Sequence, residues 1–232
     1  MHFLKEPDYN TFMFACDGKY FKKYGVNCAN SAINTSTPIH AHVLNPDQEC
    51  DVILNDLLES NYFSASTSVE LDKDKFTKEH YAKLRFLILN DLLSVCNKVC
   101  AIDTDSIFLK QSMSIFDYDL GIHERNMSEP REFKRVLAGV VLVSKSCQEF
   151  VNLLYKKQKE IEDYWYADQI ALYRTLVEYK KTSEFKTIKY IRVPLGFIDY
   201  TFNPNSWIWT GKGDKKDNNQ TYLNEFIKHK RV

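Results

Sequence analysis

The 232-residue chain carries 31 basic and 31 acidic side chains in no long block of either sign, which argues against a nucleic-acid or membrane-surface binder driven by electrostatics. Its length suits one large α/β domain with a substantial core. No apolar stretch approaches the ~20 residues of a spanning helix, and residues 1–7 lack the apolar core of a signal peptide, so the sequence reads as a soluble, cytoplasmic protein.

Residues 11–16 read as a first buried strand ending at Asp17-Gly18, a turn pair that leaves a carboxylate at the strand's end, and a helix follows over about 20–34. Residues 41–44 read as a second strand, stopped by Asn45-Pro46, after which Asp47 caps a helix to about residue 60. A third strand, rich in β-formers, is expected at 62–71. Strand, helix, strand, helix, strand is the grammar of a parallel α/β sheet. Thr77 is the expected N-cap of a long helix in which Tyr81, Leu84, Ile88, Leu92 and Val95 recur at three- and four-residue spacing. Arg85 shares the side of Tyr81, either along the edge of a site or as a solvated residue on the helix flank.

That helix leads into Val99-Cys100-Ala101-Ile102, a buried strand. Beyond it, further strands are expected at 116–122 and 136–143, and the capping-box pattern Ser146-Cys147-Gln148-Glu149 opens a helix to about residue 161. Tyr164-Trp165-Tyr166-Ala167-Asp168-Gln169 opens another, in which Asp168 is at least an acid suited to a first turn. Segments 188–193 and 196–202 bring the chain back to the core. In Gly211-Lys212-Gly213, two glycines around a lysine suit an anion nest or, as simply, a solvated basic turn. A helix over about 222–230 closes the chain. The six cysteines (Cys16, Cys28, Cys50, Cys96, Cys100 and Cys147) form no C-x-x-C pair, so buried, reduced thiols are expected rather than disulfides or a zinc site.

The chemistry centres on Asp103-Thr104-Asp105. Two further Asp-x-Asp patterns occur, at Asp72/Asp74 in a charge run and at Asp117/Asp119, but only Asp103 and Asp105 end a buried strand, where ligands collect in open α/β sheets. In an extended chain the two would project to one side with Cα atoms roughly 6 to 7 Å apart and repel by roughly 3 kcal/mol. A divalent cation, Mn²⁺ or Mg²⁺, is the expected partner, since hard cations take carboxylate oxygens and substrate phosphates together.

Phe14-Ala15-Cys16-Asp17-Gly18-Lys19-Tyr20, the Asp-Thr-Asp after Val99, Leu137-Ala138-Gly139-Val140-Val141-Leu142-Val143 and Ala167-Asp168-Gln169, in this order, resemble the successive motifs of GT-A-fold glycosyltransferases, and among them family 8. The resemblance spans about residues 10–213. It implies a single Rossmann-like α/β domain with a mixed, mostly parallel sheet: a nucleotide-binding half over about 10–110, a donor and acceptor half over about 111–213, and a tail helix in 214–232. It further implies that Ala15, Cys16, Asp17 and Tyr20 hold the nucleoside, with the Tyr20 ring on a uracil. Asp103 and Asp105 would hold ribose and metal, Thr104 and Gly211 would help bind the nucleotide, and Arg85 and Lys212 would approach the diphosphate, with Asp168 and Gln169 at the donor sugar as catalytic residues. The activity implied is metal-dependent, retaining transfer from a nucleotide sugar, a UDP-sugar, to a glycan, lipid or protein acceptor. Three positions depart from the family pattern. Lys19 and Leu137 each stand where it has Asn, and Trp209-Thr210 stands where it has a metal-binding His.

Other readings explain less. The palm motif of B-family DNA polymerases resembles Ile102-Asp103-Thr104-Asp105-Ser106, but such an enzyme needs a longer chain and a basic channel. A dehalogenase-type phosphatase places its Asp-x-Asp on the first strand, and a sugar nucleotidyltransferase begins with a Gly-rich loop that Asp17-Gly18-Lys19-Tyr20 does not supply. A catalytically silent nucleotide-sugar-binding or scaffold protein of the same fold is the alternative from another class, supported by the three departures.

Overall fold

The computed structural model describes residues 1–70, 78–211, 213 and 215–230. The chain begins with β1 (His2–Lys5) and β2 (Asn10–Asp17), then α1 (Gly18–Tyr20), a π-helical turn at Phe21–Gly25, and α2 (Val26–Asn34). Next come β3 (Ile39–Leu44), α3 (Gln48–Leu58), β4 (Phe63–Ser68), α4 (Lys78–Leu87), α5 (Leu89–Val95), β5 (Lys98–Ile102) and β6 (Ser106–Phe108). The second half contains β7 (Leu120–Glu124), β8 (Val136–Ser144), α6 (Gln148–Glu160), α7 (Ala167–Tyr179), β9 (Tyr190–Arg192), β10 (Ile198–Asp199), β11 (Ile208–Thr210), α8 (Lys215–Asn218) and α9 (Gln220–Lys228).

Eight strands form one sheet in the order β1-β4-β3-β2-β5-β8-β7-β9, in which only β1 and β8 run against the rest. Alternation along the central strands sorts their side chains into two cores, because successive residues of a strand face opposite sides. Phe12, Phe14, Cys100, Ile102, Val140 and Leu142 point to the side covered by Cys28 and Ala32 of α2 and Leu54 and Leu57 of α3. Met13, Ala15, Val99, Ala101, Val141 and Val143 point to the other, against Leu84, Leu92, Phe150, Leu154, Leu172 and Leu176 of α4 to α7. Burial on both faces explains why these strands read as continuous apolar runs. A small second sheet, β10-β11-β6, lies beyond the end of β5. All six cysteines are free and buried. Among the described residues no helix is long and apolar enough to cross a membrane.

Several expectations hold: Asp47 caps α3 by accepting from the Cys50 amide at 2.9 Å, and the early strands alternate with helices in parallel. Others shift. The long helix breaks at Ile88, and its expected cap, Thr77, lies outside the described residues, as do Asp72 and Asp74. Residues 113–117 form a 3₁₀ turn, so the strand expected from 116 begins only at Leu120. Ser146 caps nothing, since its hydroxyl bonds Ser144 and α6 starts at Gln148 after Cys147. Helix α7 starts at Ala167, because Tyr166 is left-handed, at φ 71°.

One buried polar feature is confined to β3 and β4. His40 and His42 share a face, and β4 presents Ser64, Ser66 and Ser68 in register beside them. His40 contacts Ser64 and Ser66 at 2.9 and 2.8 Å, and His42 contacts Ser66 and Ser68 at 2.9 and 3.0 Å. Hydroxyls that both donate and accept satisfy neutral imidazoles, and burial lowers the pKa from the ordinary 6.5 to about 3 for His40 and about 4 for His42. The unfolded chain therefore binds more protons below pH 6.5, so the stability from this ladder is complete above 6.5 and declines as pH falls toward 4. By pH 4.5 the loss amounts to roughly 2 to 3 kcal/mol per histidine. Urea unfolding at pH 7.5 and 4.5 checks this: the wild type should lose several kcal/mol more than the H40N/H42N variant, and equal losses would refute it.

Candidate active site

Strand β5 ends at Ile102, and Asp103-Thr104-Asp105 is a tight turn closed by the Ser106 amide on the Asp103 carbonyl at 3.2 Å. The extended geometry expected for this pair is therefore replaced by a turn. Thr104 fixes it, its hydroxyl donating to the carbonyl of Ala15 at the end of β2 at 3.2 Å. The turn still brings the carboxylates together. Thr210, at the end of β11, places its hydroxyl 3.2 Å from Asp103 Oδ2 and 3.4 Å from Asp105 Oδ1. Glycine at 139 makes room for this, because a Cβ there would lie 2.7 Å from Asp103 Oδ2.

Each carboxylate has its own cation. Helix α4 sends Arg85 between two acids, with Nη1 2.9 Å from Asp103 Oδ1 and Nη2 3.0 Å from Asp168 Oδ2. Asp168 Oδ1 also accepts the Gln169 amide at 2.8 Å in the first turn of α7. It is thus a buried member of the site as well as a helix-start acid. Its pKa is raised by burial and by Asp103, with Arg85 opposing. The two Arg85 Nη groups hold carboxylates rather than open space, which makes Arg85 a positioning residue.

On the far side, α8 delivers Lys216, whose Nζ lies 2.6 Å from Asp105 Oδ2 and 2.5 Å from the Tyr20 hydroxyl. The ammonium sits 5.1 and 4.6 Å from the ring centroids of Tyr20 and Tyr24, close enough for cation–π attraction. Tyr20 donates to Asp105 Oδ2 at 3.1 Å, and Tyr222 donates to the Asp105 carbonyl at 2.8 Å. Burial and the neighbouring Asp103 raise the Asp105 pKa against the pull of Lys216. Gly211 is spatially required, since a Cβ there would meet the Lys216 Cβ at 2.7 Å, and its amide donates to the Asp105 carbonyl at 3.1 Å.

Of the expected site residues, the structure therefore gathers Ala15, Tyr20, Arg85, Asp103, Thr104, Asp105, Asp168 and Gly211. Asp17 borders the group as the cap of α1, accepting the Tyr20 amide at 2.6 Å. The Cys16 thiol is buried in the α2 and α3 core, against Thr104. Gln169 faces a neighbouring cleft, and Lys212 lies outside the described residues. Lys216 and Tyr24 carry no local sequence signal that singles them out.

Asp103 Oδ2, Asp105 Oδ1 and the Thr210 hydroxyl are hard oxygen donors. They suit Mn²⁺ or Mg²⁺, which binds one or two carboxylates and completes its shell with phosphate and water. Among the described residues no cluster of three His, Cys, Asp or Glu side chains accompanies them. Thr210 is what the chain offers as a third protein oxygen.

No protein-family model matches the chain, and no curated protein matches it. Solved structures do. The bifunctional WbbM glycosyltransferase, in its apo form, superposes with a TM-score of 0.66 at 13% identity over 97% of this chain and 50% of its own. An active-site mutant of LgtC gives 0.61 at 16% identity, covering 94% of both chains. The glycosyltransferase GlyE of Streptococcus pneumoniae TIGR4 gives 0.59 at 16% identity over 94% of this chain and 61% of its own. The chain has a GT-A-like glycosyltransferase fold. It spans half the length of WbbM, under two thirds of GlyE and nearly all of LgtC, a galactosyltransferase also solved with donor and acceptor sugar analogues. In this glycosyltransferase fold the acidic turn lies just beyond the carboxyl end of β5, next to that of β2.

Proposed function

We propose that the chain is a glycosyltransferase that moves a sugar from a nucleotide-diphosphate donor, a UDP-sugar, to an acceptor hydroxyl with retention of configuration. The observation that carries this reading is the pairing of Asp103 and Asp105 on one turn with Arg85 and Lys216 closing on them from opposite sides, within a glycosyltransferase fold. Residues of about 10–110 form the nucleotide half and about 111–213 the donor and acceptor half.

In this reading Asp17 and the backbone of Ala15 and Cys16 hold the nucleoside, Tyr20 turns its ring to the base, and Asp103 and Thr104 border the ribose. Asp103 and Asp105 would hold Mn²⁺ or Mg²⁺, which when bound supplies positive charge to the diphosphate. Lys216 releases Asp105 to meet a phosphate oxygen, a role toward the diphosphate that the sequence resemblance also implies for Lys212, with Gly211 helping to bind the nucleotide. As the bond from the anomeric carbon to phosphate breaks, the electron pair leaves with UDP, and an ammonium aimed at that oxygen stabilises the transition state more than the ground state. The acceptor oxygen forms the new bond and its proton passes to the departing phosphate. Asp168, held by Arg85, faces the positive charge that develops on the sugar, and Gln169 stands between that sugar and the neighbouring cleft.

Calorimetry with UDP, with and without Mn²⁺, tests the binding half, and release of UDP from UDP-glucose and UDP-galactose tests turnover. Mn²⁺ should tighten UDP binding at least tenfold, and D105A should abolish that gain. Unaltered binding in D105A removes the acidic turn from the site. Tight binding with no turnover on any donor leaves the silent nucleotide-sugar-binding protein, to which Lys19, Leu137 and Thr210 already point.

A further inference from the structure

Past Asp168, the start of α7 opens on a cleft of about 390 Å³ between the β7–β8 connection and the segment after β10. One wall is aromatic: the rings of Phe133 and Tyr166 stack at 4.6 Å with planes 5° apart. Tyr200 faces the cleft with the Arg125 guanidinium 5.6 Å from its ring centroid. Tyr166 reaches this position through its left-handed backbone, which also sets where α7 begins.

Two polar groups in the cleft lack partners. Gln169 is 6% exposed, yet its Oε1 accepts no hydrogen bond. Arg125 Nε is buried without an acceptor, and among the described residues no carboxylate pairs with its guanidinium. The acids near it are already engaged. Glu124 is taken by Lys180 and Arg192 at 2.9 and 3.0 Å, Glu129 by Arg131 at 2.8 Å, and Glu132 by Arg174 at 2.9 Å. Lys134 adds a second positive charge to the lining, and the carboxylate near it, Glu129, is the one held by Arg131. Buried donors and acceptors are normally satisfied, so a guanidinium Nε without an acceptor and an unpaired amide oxygen beside an aromatic wall mark a ligand that supplies both partners.

We infer that this cleft is the acceptor subsite and that it takes an acidic saccharide, whose ring lies on the Phe133/Tyr166 wall, one hydroxyl donating to Gln169 Oε1 and an anionic group meeting Arg125. The inference rests on the glycosyltransferase reading for the word acceptor, while the cleft's preference for an acidic sugar stands on its own geometry. A guanidinium recognises carboxylate and phosphate alike through paired N–H donors, so a uronic acid and a phosphosugar share the chemistry required. A neutral sugar would cover the Arg125 guanidinium without bringing it an anion, which is where discrimination arises. The cleft adjoins Gln169, next to the Asp168–Arg85–Asp103 chain, so a hydroxyl of a sugar bound there is near the proposed donor sugar.

The test is ligand-observed NMR on the full chain with methyl β-D-glucuronide, glucose 6-phosphate and methyl β-D-glucoside, each titrated with UDP and Mn²⁺ present, together with UDP calorimetry on the same protein. At least one acidic probe should bind tenfold or more tightly than the glucoside, and which one does so separates a carboxylate from a phosphate ligand. R125Q should erase that preference while leaving UDP affinity unchanged, and F133A should weaken all the sugars together. Equal binding of acidic and neutral probes, or a preference that survives R125Q, overturns the inference. So does UDP binding with no sugar binding. Sugar binding through Arg125 in a chain that binds no UDP would instead sink the transferase reading and leave the acidic-sugar site standing.

Discussion

R85M is expected to be among the most damaging single substitutions in this protein, lowering the unfolding free energy by about 3 to 5 kcal/mol. The Arg85 side chain is 9% exposed and spans Asp103 and Asp168, so its loss leaves two acids facing each other with no cation between them. The figure belongs to breaking a buried pair, which exceeds the net contribution of the pair because the remaining charges stay desolvated. Asp168 already has a raised pKa from burial and from Asp103, with Arg85 holding it down. In R85M its folded pKa rises further above the unfolded value. The native state then binds more protons, so the variant's deficit should shrink as pH falls from 7 toward 5 and grow again as it rises. Urea melts across that range measure it, with a constant m-value confirming that the change is in stability. R85M/D168N, which removes one of the stranded acids, should recover part of the loss. A deficit below about 1 kcal/mol, or one that widens on acidification, would show that Arg85 is not the cation of this cluster.

The same residues show how far sequence reasoning reaches. Strands β2, β5 and β8 were legible because burial on both faces forces continuous apolar runs, and the acidic turn was legible because a buried strand rarely ends in two carboxylates. Asp47 was readable as a cap for a local reason, since capping involves only three residues. Ser146 failed by the same logic, because Ser144 lies nearer to its hydroxyl than the helix amides do. Arg85 remained ambiguous, for helical periodicity fixes the face a residue occupies and not what the neighbouring layer places there. Lys216 could not be singled out at all. Its role depends on α8 folding back over Tyr20 and Tyr24, a contact across 196 positions of sequence that no local pattern encodes. Thr210 was visible only as a departure from a family pattern, and its bonds to both acids give that departure a physical meaning.

K216M should separate the two roles of that lysine. The Lys216 side chain is 15% exposed and that of Asp105 7%, so removal of the ammonium strands Asp105 and should cost stability on the order of 3 kcal/mol. It should also weaken UDP binding about a hundredfold, a loss of roughly 2.7 kcal/mol, if the ammonium leaves Asp105 for phosphate. The double variant K216M/D105N distinguishes these effects, because a neutral amide no longer needs the cation: stability should return, while UDP affinity should not. Lys216 and a divalent cation also compete for one carboxylate. An ammonium and a divalent cation about 4 Å apart repel by roughly 8 kcal/mol at an effective dielectric of 20, so the lysine must disfavour metal binding until a phosphate draws it away. In K216M, without nucleotide, Mn²⁺ should therefore bind at least tenfold more tightly than in the wild type, read directly from the loss of the free-ion paramagnetic resonance signal. In the wild type UDP should tighten Mn²⁺ binding, and by reciprocity Mn²⁺ should tighten UDP binding by the same factor. Mn²⁺ affinity unchanged by K216M would mean that the metal, if it binds, does not use Asp105, and the acidic turn would then serve Lys216 alone.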